Sequence, residues 1–270
     1  MISFKKIVDF YIRSSIHVAL SVYALVRMTH FMFHISADEA MANFAFFGTI
    51  VGYNFVKYDA LARAQKKQMR KELKIIIVFT VFSLAGVAYY FFQLQLMTQI
   101  VSVGVLALTL LYTLPFFPNR RNARNWAGVK IYIVALCWVG VTLVLPLVNA
   151  DVFLGLDFYL KCMQRFLLVF VLILIFEILD LANDDPHLHT VPQQIGVRKT
   201  KIVGLLLLLP FYFLEFLKTN FLEEQLKVNL VLVLTLSFFL IFANEKRSSY
   251  YTSFWVESIP VFWWLMVVFF

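Results

Sequence analysis

Long apolar runs separated by short charged connections make up almost the whole chain. The runs lie at about residues 15–35, 40–56, 75–92, 100–115, 131–148, a sixth that ends in the long apolar run 166–179, 202–217, 227–243 and 254–270. A helix crossing a hydrocarbon core needs about 20 residues. Its backbone polar groups must be satisfied within the span, which favours helices. Barrel strands would alternate polar and apolar residues, and these runs do not. The pattern predicts an all-α polytopic membrane protein, a nine-transmembrane-helix bundle forming one domain over residues 1–270. Pro210 is expected to kink the seventh span. The last run contains Glu257 and Pro260, so lying along the interface is the alternative for it.

Composition agrees: 61% of residues are hydrophobic, 15% are charged and mean hydropathy is +0.80. That balance excludes a soluble domain. The net charge of +8 would suit a nucleic-acid binder, but the cations sit in short loops, where membrane orientation explains them; no nucleic acid is expected. Lys5, Lys6, Arg13, the set from Lys57 to Lys74, Arg120, Arg121, Arg124, Lys130, Arg198, Lys199, Lys201, Lys246 and Arg247 fall on one side when alternate connections are grouped. The positive-inside rule then places the N-terminus in the cytoplasm and the C-terminus outside, with a bacterial inner membrane the expected setting. Cys137 and Cys162 lie in or beside apolar runs and imply no disulfide framework.

The densest chemistry follows the sixth run, in FEILDLANDDPHLHTVPQQIGVRKT, residues 176–200. If Asp180 is still helical, Asp184 lies one turn along on the same face. Two carboxylates at a membrane boundary suit a hard divalent cation, which prefers oxygen ligands and commonly accompanies a phosphate. Arg and Lys clusters on the same side offer phosphate contacts. An apolar bundle beneath such a cap has room for a hydrocarbon tail, so an isoprenoid or lipid diphosphate handled at the cytoplasmic face is the expected ligand. The plain alternative is a solvated loop, with cations that record topology or meet anionic headgroups.

These residues resemble the UbiA-type intramembrane prenyltransferases. That family's second motif runs D-x-x-x-D, a spacer, T-L-P and a Gly; here Asp180-Leu-Ala-Asn-Asp184 matches the acids, and Thr190-Val191-Pro192 with Gly196 resembles the tail. Leu111-Tyr112-Thr113 followed by Arg120-Arg121 is similar to the family's tyrosine and basic pair. Where the family shows N-D-x-x-D-x-x-x-D after span two, this chain keeps Asn54, sets Phe55, Tyr58 and Ala62 at the acid positions, and carries Asp59 one place late, between Lys57 and Arg63. The resemblance implies transfer of a prenyl group from an isoprenyl diphosphate to a lipophilic, quinone-precursor-like acceptor. Asp180 and Asp184 would hold Mg2+ and act catalytically, and Asp59 and Asn54 would support a weaker second site. Asn54, Lys57, Arg63, Tyr112, Arg120, Arg121 and Arg198 would contact substrate.

Cations beside a lone carboxylate compete with a metal. Three readings of this departure stay open: a one-metal enzyme in which Lys57 and Arg63 hold phosphate directly, a changed substrate, or lipid binding without turnover. A small transporter is a further alternative, because Arg27, His30 and His34 share one stripe of the first helix. Glu177 is a conjectured partner for Arg27. The pair His187 and His189 is read as polar loop rather than a zinc site.

Overall fold

The computed structural model describes residues 4–64, 71–113, 128–182, 184, 188–219 and 222–269, with the side chains of 59–64 and 111–113 left aside. The elements run in order α1 (Phe4–Arg13), α2 (Ile16–Met32), α3 (Glu39–Ala64), α4 (Lys71–Phe91), α5 (Leu96–Thr113), α6 (Val129–Val139) and α7 (Leu145–Asn149), then α8 (Leu156–Asp180), α9 (Val191–Ile195), α10 (Val197–Phe213), α11 (Glu223–Phe242) and α12 (Ile259–Phe269). A π-helical turn at Gly140–Val144 joins α6 to α7, and another at Tyr251–Val256 leads into α12. Among the described residues six rods are long and apolar enough to cross a membrane: Lys71–Phe91, Val129–Asn149, Leu156–Asp180, Val197–Leu217, Glu223–Phe242 and Tyr251–Phe269. Ile16–Met32 and Leu96–Leu110 are shorter apolar helices, and α3 is not among the six.

The core is arranged around α8, whose apolar residues leave no polar face for most of its length. Leu168, Val171, Ile175 and Ile178 pack with Leu208 and Phe211 of α10, Leu236 and Leu240 of α11, and Ile259 and Trp263 of α12. Gly204 lets α10 approach: a Cβ there would stand 2.5 Å from Cδ2 of Leu240 and 3.4 Å from Cδ1 of Leu174. The last run therefore packs into the bundle, with Trp263 and Ile259 buried, rather than lying along its rim. Pro210 lies inside α10. α10 continues to Phe213 and tightens into a 3-10 turn at Leu214–Leu217, while the Phe211 carbonyl accepts the Gln164 Nε2–H at 3.0 Å. In contrast α4 leaves Ile75, Val78, Val81 and Phe82 uncovered, the surface of a rod that meets lipid.

Polar contacts sort the connections to two ends. At one, Asn149 donates to Asp38 at 2.6 Å and accepts from the Gln95 N–H at 3.0 Å, while Asp157 accepts from Thr219. Arg27 pairs here with Glu39 and donates to the Tyr23 hydroxyl. Its conjectured partner Glu177 is therefore wrong: that carboxylate lies near the opposite end of α8. His30 is buried, and neither ring nitrogen has a hydrogen-bond partner among the described residues.

Deeper at this end Glu215, fully buried, accepts from Lys161 at 3.1 Å, Gln164 at 3.0 Å and Asn229 at 2.9 Å, and pairs with Lys218. Arg165 is buried nearby along α8, donating to Thr142 at 2.9 Å and standing 5.4 Å over the Trp263 ring. A buried carboxylate between two ammonium groups is costly to remove, because the cations stay behind uncompensated.

Two stability measurements follow. Gly204→Val should lower the thermal midpoint of the purified protein, with overpacking against Leu240 and Leu174 costing about 1–3 kcal/mol. Glu215→Ala should cost about 3–5 kcal/mol, and Glu215→Gln, which keeps an acceptor, should cost less.

Candidate functional site

The other end of the bundle collects the acids. α8 finishes at Asp180, and the chain makes one further turn, with the Asp184 N–H donating to the Asp180 carbonyl at 2.8 Å. That turn puts the two carboxylates on neighbouring positions, and Asp180 and Asp184 act on each other electrostatically. Asp184 is half-buried, and its shielded Oδ2 accepts no hydrogen bond from any described residue. One turn deeper, the buried Glu177 uses Oε2 to accept the Val191 N–H at 3.0 Å.

This bond folds the following segment back onto α8. Thr190 and Gln193 form a capping box at the start of α9, with Pro192 in its first turn. There the fixed proline φ costs no hydrogen bond. Gly196, at φ 81°, then turns the chain into α10, a left-handed conformation that favours glycine. Lys130, at the start of α6, is a cation within electrostatic reach of both Glu177 and Asp180. Arg198 and Lys199 are exposed on the first turn of α10.

A second polar corner forms where α1 meets α2. Ser15 takes a left-handed backbone at φ 63°, and its hydroxyl donates to Asn54 Oδ1 at 2.8 Å. The buried Asn54 amide donates to the Ser14 carbonyl at 3.1 Å and to Thr80 at 2.9 Å. Lys57, one turn along α3, donates to the Ser15 hydroxyl at 3.2 Å and stands 5.6 Å over the Tyr53 ring. Tyr53 in turn accepts the Trp138 indole N–H at 2.8 Å. The amide of Asn54 is thus committed to the corner, and Lys57 is the polar group of the pair that keeps contact with solvent.

Asp59 and Arg63 lie on α3 and Tyr112 on α5, their side chains outside the described residues, as are Arg120, Arg121 and His187 altogether. Among the described residues no group of three or more His, Cys, Asp or Glu side chains is placed to hold a metal ion. A Mg2+ ion takes one or two carboxylates and fills its remaining positions with water and phosphate oxygens. Asp180 with the unengaged Oδ2 of Asp184 fits that partial requirement. Lys130 and Glu177 stand beside the acids, and the motif spacing does not single them out.

Compared with known proteins, the sequence matches no family model and no curated protein. Its fold does match solved structures. A UbiA homolog from Archaeoglobus fulgidus bound to Cd2+ superposes with a TM-score of 0.64 at 13% identity, over 96% of this chain and 97% of that one. A structure of a UbiA homolog from the same organism bound to GPP and Mg2+ gives 0.61 at 13% identity, over 96% and 98%. A structure described for digeranylgeranylglyceryl phosphate synthase in membranes gives 0.58 at 12% identity, over 98% and 96%. The fold is therefore that of these UbiA homologs, and the chain is a multi-pass integral membrane protein.

The bond that seats α9 can be read directly. Glu177→Ala leaves the Val191 N–H without its acceptor, a penalty of about 1–3 kcal/mol. Amide exchange across Val191–Ile195 should accelerate while the middle of α8 stays protected; unchanged exchange at α9 would contradict the assignment.

Proposed function

We propose that this protein is an intramembrane prenyltransferase: it moves a prenyl group from an isoprenyl diphosphate to a lipophilic, quinone-precursor-like acceptor. The observation that carries the reading is the Asp180–Asp184 pair, with one carboxylate oxygen that no described residue engages, at the end of the most enclosed of the described spans in a UbiA-type fold. In this reading the chain forms one transmembrane domain of nine spans, with the acidic end and the N-terminus facing the cytoplasm and the C-terminus outside.

Asp180 and Asp184 would hold Mg2+, which neutralises charge on the departing diphosphate. Lys57, Arg63, Arg120, Arg121 and Arg198 supply cations for the phosphate oxygens. Asn54 fixes the Ser15 corner from which Lys57 is aimed, Asp59 adds a weaker metal ligand, and Tyr112 lines the substrate. The apolar bundle holds the prenyl chain and keeps water from the allylic carbon. That GPP and Mg2+ are described with a protein of this fold supports the choice of ligand.

A second reading, binding of a prenyl lipid without turnover, is favoured by the first corner. Its Asn54 amide is already spent on Ser14, Ser15 and Thr80, and a single acid, Asp59, follows it. A transporter relay through Arg27 and His30 draws no such support, since Arg27 is engaged with Glu39.

The readings separate by turnover. Detergent-solubilised protein given labelled prenyl diphosphates, Mg2+ and a panel of quinone-precursor acceptors should yield prenylated product. Asp184→Asn should lower the rate about 100-fold or more. Binding without product would support the second reading, and a loss of function that follows Arg27 but not Asp184 would support the relay.

A further inference from the structure

We propose that α1 is an interfacial helix that binds anionic phospholipid at the acidic end of the bundle, with Phe4 and Ile7 entering the bilayer and Lys5 and Lys6 meeting the headgroups. Lipid binding of this kind does not depend on prenyl transfer.

The sequence of α1, FKKIVDFYIR, divides its ten residues between two faces. Phe4, Ile7, Val8 and Tyr11 recur at helical spacing along one side, and Lys5, Lys6, Asp9 and Arg13 gather on the other. The rest of the protein holds the second half of the helix. Phe10 meets Phe79 edge-on with ring centroids 6.3 Å apart, and Tyr11 meets His17 at 5.1 Å. Asp9 accepts the Tyr250 hydroxyl, Arg13 pairs with Glu72 at 3.1 Å, and the Arg13 carbonyl accepts the Tyr58 hydroxyl at 2.9 Å. The first turn has no such support. Phe4 is 80% exposed and Ile7 55%. Lys5 and Lys6 are exposed as well, and neither side chain makes a hydrogen bond or ion pair with any described residue.

A ten-residue helix is marginal in water unless an apolar face has something to pack on. The position of α1 says what that is. It joins α2 at the left-handed Ser15, and its Phe10 lies against Phe79, two turns past Glu72 in α4. Over that stretch α4 changes from charged, with Lys71, Glu72 and Lys74, to apolar, from Ile75 to Phe79. α1 therefore lies where a membrane-embedded rod enters hydrocarbon, the level of an interfacial amphipathic helix. Asp9 and Arg13 are engaged by Tyr250 and Glu72, so the charges that α1 presents are the two lysines. Lys71 and Lys74, exposed in the first turn of α4, add two more. Basic groups at this level gain from a net negative leaflet, whereas a zwitterionic one offers no net attraction. α1 ends at Ser14 and Ser15, whose carbonyl and hydroxyl engage Asn54 and Lys57, so a seated α1 braces that corner.

The test uses the full-length protein in nanodiscs of phosphatidylcholine, alone or mixed with phosphatidylglycerol, and reads amide exchange across α1. Phosphatidylglycerol should slow that exchange about tenfold. The double variant Lys5→Gln, Lys6→Gln should lose most of the gain, as should the wild type at high salt. Phe4→Ser with Ile7→Ser should lose protection in both bilayers. Exchange in the middle of α8 should stay as in the wild type throughout, because all four positions are exposed. Equal exchange of α1 in the two bilayers overturns the proposal. So does protection that follows formation of a dimer and ignores lipid charge, which assigns the face to a second copy of the chain. Faster exchange in α8 of the lysine variant overturns it too, since those side chains would then serve the fold.

Discussion

Hydrocarbon offers a polar group nothing to bond with, so a chain buried in it must satisfy its polar groups internally or gather them where water or a ligand can reach. Both solutions occur in this molecule, at opposite ends. At one end Glu215 is saturated by Lys161, Lys218, Gln164 and Asn229, all drawn from α8, α11 and the turn after α10. The cluster ties three rods together in register. At the other end the Asp184 Oδ2 accepts no hydrogen bond from any described residue. A closed ion cluster marks one end of the bundle, and the acid pair stands at the mouth of the other.

The mouth is built by short-range devices that the apolar rods alone would not supply. The left-handed Ser15 breaks α1 from α2 and is held by Asn54. Glu177 draws the capped α9 back against α8, and Gly196 releases the chain into α10. The π turn before α12 is held by Ser21, whose hydroxyl donates to the Glu257 carbonyl. Each device spends a polar side chain on the backbone of a neighbouring element, which is how a helical membrane protein fixes a loop without a soluble core beneath it.

Much of the architecture was readable from hydropathy, because lipid imposes a length and a polarity on every crossing. The acid pair was readable too, since Asp180 and Asp184 interrupt an apolar run at helical spacing. What spacing could not give was partnership. Arg27 was matched with Glu177 although Glu39 stands just past the end of its own helix, because sequence does not say which end of a rod a charge faces until the bundle is assembled. Nor could spacing show that the Asn54 amide bonds Ser14, Ser15 and Thr80. Glu257 read as a flaw in the last span, since a backbone irregularity such as the π turn leaves no mark in composition. The likeness to solved structures at 12–13% identity shows the same split: the fold persists where nearly all the side chains have changed.

The central claim is that the acidic end receives a diphosphate with its metal. Equilibrium binding of labelled geranylgeranyl diphosphate to the purified protein, titrated with Mg2+, tests it most directly. Saturable binding that requires Mg2+ and is lost in the Asp180→Asn, Asp184→Asn double variant is the expected result. Binding that is absent, or indifferent to both Mg2+ and the two aspartates, would contradict it.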